Sequence, residues 1–135
     1  MRNQFPSRRR RSGFTLVEIM IVVSIIFLLA AIAIPNFMRA RKRTQATRIL
    51  EDLRVLDSAL DLYAIETNKM TGFNPNFADL MKYVKAGTPL TYSGDADLFG
   101  NSYSTFTVDS IPKVNAATFN SLSDVAPASF WSPYR

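Results

Sequence analysis

Residues 14–34 read FTLVEIMIVVSIIFLLAAIAI, an apolar run of 21 residues with a single charge in it, Glu18. At ~1.5 Å of rise per residue, a helix of that length covers roughly 30 Å, the thickness of a bilayer's hydrocarbon core. A secretory h-region is shorter, usually ~7–15 residues, and ends at small residues of the A-x-A type. Here the run is followed by Pro35-Asn36-Phe37-Met38-Arg39. It therefore reads as a retained membrane helix. Basic residues flank both ends, Arg8 to Arg11 before it and Arg39, Arg41, Lys42 and Arg43 after it, so charge alone leaves the orientation open. A short basic N-terminus ahead of a first apolar helix usually stays in the cytoplasm, which would put the Gly/Ser/Asn-punctuated C-terminal part outside.

Beyond the run, residues 37–67 contain neither Pro nor Gly. Ile49, Leu53, Leu56, Leu60 and Tyr63 follow one another at spacings of 4, 3, 4 and 3, with Ala46, Leu50 and Ala64 beside them. That spacing draws one stripe along a helix. Glu51, Asp52, Arg54, Asp57, Asp61 and Glu66 fall mostly off the stripe and read as a solvated face. The spacing thus predicts that the helix continues past Pro35, which kinks it without ending it, as far as about Thr67. Gly72 is the expected stop.

The rest of the chain is the only intramolecular cover for that stripe. Asn74-Pro75 predicts a cap and first position for a short helix carrying Phe77, Leu80, Met81 and Val84, closed by Gly87-Thr88-Pro89. Residues 103–108 (YSTFTV) form the best strand candidate, and residues 111–114 are its candidate edge partner because of Pro112. A further short helix is expected over residues 115–124. The aromatic C-terminus, Phe130-Trp131-Ser132-Pro133-Tyr134, is expected to plug the core. The fold class is therefore α+β: a long N-terminal helix, membrane-embedded in its first half and amphipathic in its second, packed on a small head with a short antiparallel sheet.

Composition excludes much chemistry. The chain of 135 residues has no Cys and no His, which removes disulfides, thiolate metal sites and the commonest general base. Its net charge is +5, yet Arg2, Arg8, Arg9, Arg10 and Arg11 all precede Gly13; eleven basic residues then face eleven acidic ones, and the body is neutral. A phosphate-binding surface for nucleic acid is not expected of such a body. Asp95 and Asp97 form a D-x-D beside Gly94, but the calcium-loop pattern with its closing Glu is missing. The pair reads as a turn with solvated carboxylates, and the chain as no enzyme.

After its basic leader, Gly13-Phe14-Thr15-Leu16-Val17-Glu18 resembles the prepilin processing motif G-F-T-L-x-E, shared by type IV pilins and by the pseudopilins of type II secretion systems. Residues 1–67 follow that pattern, with a Pro near the end of the apolar run. In the head, Asp97-Leu98-Phe99-Gly100-Asn101-Ser102-Tyr103 is similar to the D-P-W-G-N-P-Y segment of the major pseudopilin, departing from it at Leu98, Phe99 and Ser102. That family's Asp- and Gly-rich calcium loop has no clear counterpart, since no Gly follows Gly100, so no cofactor is expected and calcium is left without a clear site.

The resemblance implies four segments: a leader over residues 1–13, a transmembrane helix over 14–34, an amphipathic helix over 35–67 and a head over 68–135. It implies cleavage between Gly13 and Phe14 by a membrane prepilin peptidase that also N-methylates Phe14. It further implies residence in the inner membrane with the head in the periplasm. An assembly platform would then collect identical or related subunits into a filament with the helices inside. In the cut chain, Phe14 carries an α-amine of ordinary pKa ~7.7–8.0. Glu18 is then a buried carboxylate that an adjacent subunit's amine can neutralise, relieving two charges that lipid penalises. The alternatives are a surface type IV pilus subunit and a signal-anchored periplasmic protein that never polymerises.

Overall fold

A computed structural model describes residues 13–103 and 105–135 of the chain. The leader expected over residues 1–13 therefore lies outside the described residues, Gly13 excepted. The chain divides into two units, the first ending at Phe37 and the second being Met38–Arg135. Helix α1 (Leu16–Thr67, 52 residues) supplies the first unit and continues into the second.

In the first unit the apolar side chains are bare, Phe14 at 86% exposure and Phe27 at 70%. The helix is long and apolar enough to cross a membrane. Each large apolar side chain withdrawn from water contributes about 1.5–3 kcal/mol, so a face of this size calls for lipid or protein cover. The one hydroxyl in mid-run, Ser24, donates to Met20 O at 2.7 Å and so carries no unpaired donor into lipid. Pro35 stands inside α1. It has no N–H to give Ala31, so one rung of the ladder is missing there while the helix runs on.

In the second unit the expected stripe is the core. Ala46, Ile49, Leu53, Leu56, Leu60 and Tyr63 are buried, and Ala64 is partly so. The helix ends at Thr67, where the spacing put it, and Asn68 closes it in place of Gly72. Asn68 takes the left-handed conformation (φ 50°), and Lys69 N–H donates to Ala64 O at 3.3 Å. That is a Schellman closure with Asn at the position glycine more often fills. Around the stripe pack α2 (Phe77–Leu80), running on as a 3-10 turn at Met81–Tyr83, then α3 (Leu90–Ser93), α4 (Ala116–Leu122) and a last 3-10 turn at Ala128–Trp131. The helix start falls two residues beyond the expected Asn74: Asn76 holds the N-cap position without a side-chain capping bond, and Asn74 Oδ1 accepts from the Thr107 hydroxyl at 2.8 Å. α4 forms within the stretch 115–124 where a short helix was expected, and Asn115 caps it, its Oδ1 accepting from Ala117 N–H at 2.9 Å. α3 had no precursor in the sequence reading.

The expected sheet is not found. Among the described residues no strand forms, and the one antiparallel bridge joins Ala96 to Ser102. The physical reason is where the backbone groups of residues 103–108 go. Tyr103 N–H donates to Asp95 O at 2.8 Å, whereas Val108 exchanges bonds with Phe73 O (2.9 Å) and Gly72 N–H (3.2 Å). Two separate loops are served, so no ladder builds. Residues 111–114 do not pair with this stretch in the expected way either; Val114 N–H donates to Tyr134 O at 2.7 Å. The alternation that suggested a strand survives as burial of Tyr103, Phe106 and Val108. The aromatic plug is present: Trp131 is fully buried, its indole N–H donating to Ala126 O at 3.2 Å.

Candidate functional site

Gly13, Phe14 and Glu18 lie at the start of α1, and Pro35 lies 17 residues further on inside the same helix. The structure adds Thr15 to this group. Thr15 is the residue before the helix, and its N–H (2.8 Å) and hydroxyl (2.9 Å) both donate to Glu18 Oε2. In return Glu18 N–H donates to Thr15 Oγ1 at 3.2 Å. This is a capping box, in which side chain and backbone satisfy each other's orphan groups at a helix start. The spacing T-x-x-E was visible in the sequence, where the Glu had been read only as a charge awaiting a partner. Negative charge there is also favoured by the helix dipole.

The box holds one carboxylate oxygen and leaves the charge uncompensated. Among the described residues the ion pairs are Lys42–Asp124 and Lys82–Asp79, each at 3.0 Å. Glu18 belongs to neither, and Oε1 makes no hydrogen bond within the described chain. Phe14, Leu16, Ile19 and Val23 line an apolar groove beside it. The terminus of α1 thus offers a fixed anionic atom on an apolar surface. No residue pair there supplies a nucleophile with a base beside it.

In the head, Asp97 is not the solvated carboxylate expected of it. It is 7% exposed, and its Oδ1 accepts from Phe99 N–H (2.8 Å) and Asn101 N–H (3.0 Å). The Thr118 hydroxyl donates to its other oxygen, and the Asn101 side-chain amide donates to Thr118 Oγ1 at 2.9 Å. Asp97 therefore organises the 97–101 turn and joins it to α4. Asp52 and Asp57, read as part of a solvated face, accept the hydroxyls of Tyr103 (3.1 Å) and Tyr134 (3.2 Å). Partial burial pushes both carboxyls up, against the lowering effect of these bonds. The same burial, with Asp52 alongside, pushes the Tyr103 phenol up. Among the described residues no three ligating side chains cluster as a metal ion would require.

The family described as "Prokaryotic N-terminal methylation motif" matches residues 8–34. The chain is 37% identical over 62 residues to the type II secretion system core protein G of Aeromonas hydrophila, covering 46% of this chain and 43% of that protein. It is 41% identical over 59 residues to the protein of the same description from Pseudomonas aeruginosa, covering 44% of this chain and 42% of the relative. It is 38% identical over 81 residues to the type IV wide pilus major component PilA4 of Thermus thermophilus, covering 60% of each. The chain thus spans about half the length of the curated relatives it matches. No solved structure gives a significant match. The methylation motif, the long apolar helix and these relatives agree in one likeness: the chain is similar, over its N-terminal part, to type IV pilin-like proteins and type II secretion pseudopilins.

Proposed function

We propose that the chain is a structural subunit of a pilus-like filament, a type II secretion pseudopilin whose assembly drives protein export across an outer membrane. The observation that carries this reading is Glu18, a carboxylate fixed at the start of an exposed apolar helix, inside a methylation motif and without a cation partner among the described residues. A prepilin peptidase cuts after Gly13 on the cytoplasmic side of the inner membrane and methylates Phe14, and the leader that holds the basic excess is discarded. The new terminal amine of one subunit then neutralises Glu18 of the next. On insertion scales a lone charge costs about 2.5–3.5 kcal/mol at mid-membrane and less near an edge, so the pairing fixes the register of helices that lipid does not otherwise distinguish. An uncut chain has no amine at Phe14, which makes cleavage a precondition of assembly. Pro35 lets the helix bend where it leaves the bilayer, between the membrane segment of residues 14–34 and residues 35–67, while residues 68–135 complete a periplasmic head. An inner-membrane platform lifts the subunit. The proposed role calls for no cofactor.

The test is the mature N-terminus, read by mass spectrometry, together with Glu18→Ala. The expected product is methylated Phe14, and the variant expressed without the parent chain should insert and be cut normally yet build no filaments. An intact Met1 would favour the signal-anchored reading, and normal assembly of the variant would remove the pairing. The similarity to the Thermus wide-pilus component, over 60% of both chains, favours a second reading as a surface type IV pilus subunit. Long surface fibres at native expression, with secretion untouched by deletion, would establish it.

A further inference from the structure

The membrane reading leaves one charged feature unused. Arg39, Arg41, Lys42 and Arg43 follow twenty uncharged residues counted from Glu18, a stretch of roughly 30 Å if helical, which is the span of the hydrocarbon core. Arg39, Arg41 and Arg43 are exposed. At 100° per residue Arg39 and Arg43 share one side of α1 with Lys42 beside them, and Arg41 projects about 200° away, on the opposite side. The charges therefore ring the helix. The acidic group recorded against them is Asp124, which takes Lys42 at 3.0 Å, and that bond, with the field of Arg39, holds its carboxyl below the usual range. The three arginines make no such pair among the described residues. Between Arg39 and Arg43 lies a shallow recess floored by Ala40 and Val125.

We infer that this ring is a collar for acidic phospholipid, with Arg39 and Arg43 taking a headgroup phosphate in the recess and Arg41 a second one on the far side. The inference rests on the membrane reading above. Guanidinium forks match phosphate oxygens two at a time, and three of the four cations are arginine. A neighbouring subunit would meet one side of the helix, whereas a layer of headgroups surrounds it; charge on both sides fits the layer. The collar fixes how deep the waiting subunit sits, and its lipids must be shed when the subunit leaves for the filament.

The experiment uses the full chain in vesicles of phosphatidylcholine, with or without phosphatidylglycerol, and spin-labelled lipids to report which species the protein immobilises. The expected result is a preference for phosphatidylglycerol of about threefold or more, declining in high salt. It should fall to parity in Arg39→Gln/Arg41→Gln/Arg43→Gln, which leaves the Lys42–Asp124 bridge intact, and rise in Asp124→Asn, which releases Lys42. Equal preference in the parent and the triple variant overturns the collar. So does a triple variant that keeps the lipid preference but loses cross-linking between copies, which would assign the ring to a second subunit. A chain that floats with neither vesicle overturns the membrane reading and the collar with it; one that floats with both and shows no preference overturns the collar alone.

Discussion

Asp97 is the residue whose role the sequence hid most completely. A D-x-D beside a glycine looks solvated, and only the fold brings Thr118 and the amides of Phe99 and Asn101 to it. Replacing it by Ala strands two backbone donors and a hydroxyl in a buried place. Each such loss costs about 1–3 kcal/mol, so Asp97→Ala should destabilise the head by about 3 kcal/mol. Asp97→Asn keeps an acceptor for the two amides and should lose about 1 kcal/mol. Denaturation of the full chain in micelles, followed by the fluorescence of Trp131, its one tryptophan, reads both. Gly13 presents the opposite case. A Cβ added there meets nothing within 4 Å, and its backbone is not in the left-handed region. The fold does not need glycine at that position. On the proposed processing, Gly13→Ala should leave insertion and head stability unchanged while mature-sized protein falls at least tenfold on a gel, because the requirement would lie with a peptidase and not with the fold. Equal loss of folded head would contradict that division. Glu18 was legible by its type, its position and the motif around it. Its bond to Thr15 was also written in the T-x-x-E spacing, but a carboxylate in an oily run draws attention to its charge before its geometry.

The long helix was the most legible element, because a 3-4 spacing maintained from Ile49 to Tyr63 has no competing interpretation. Its C-terminal end at Thr67 was legible too, but the residue that closes it was not: Asn68 takes the left-handed conformation, where a rule that favours glycine pointed to Gly72. The failed strand teaches a different lesson. Local β-propensity determined which side chains of residues 103–108 are buried, but a ladder also needs a partner in register, and that depends on contacts distant in sequence. Two of those distant contacts, Tyr103 to Asp52 and Tyr134 to Asp57, clamp head loops to α1. They also set a pH response. Burial raises the folded pKa of both carboxyls above the ordinary value of ~3.9, so the folded state binds protons more readily than the unfolded chain. Their contribution to stability therefore grows as pH falls through the raised folded values towards ~3.9. Asp124, whose carboxyl is lowered, works in reverse, and its contribution is lost only below ~3.9. Tyr103→Phe removes the bond that opposes burial at Asp52 and leaves that charge half-covered. It should cost about 1 kcal/mol at neutral pH, and the deficit should shrink as pH falls towards 4 and Asp52 takes up its proton. Urea midpoints of the two proteins at stepped pH give the comparison; a deficit that widens on acidification would mean the phenol is not donating to a charged Asp52.

The division of the sequence into a basic leader, an apolar run and a neutral body determined most of what was predicted for the molecule, since each follows from composition over tens of residues and not from any one contact. What composition does not specify is direction along a polymer. The proposed link is directional: each subunit gives an amine to one neighbour and accepts one at Glu18 from another. A subunit with Glu18→Ala keeps the amine and loses the acceptor, so it can join an end through its own terminus and then offers nothing to the next. Co-expressed with the parent chain in equal amount, it should act as a chain terminator. Filaments counted by electron microscopy should shorten severalfold although half the subunits are intact, and exported protein in the medium should drop out of proportion to the intact share. A symmetric or merely hydrophobic association predicts dilution instead, with filaments of ordinary length at about half the number. If the variant is absent from filaments of normal length, the carboxylate acts before polymerisation, and the amine-to-carboxylate link between copies is wrong even though Glu18 is needed.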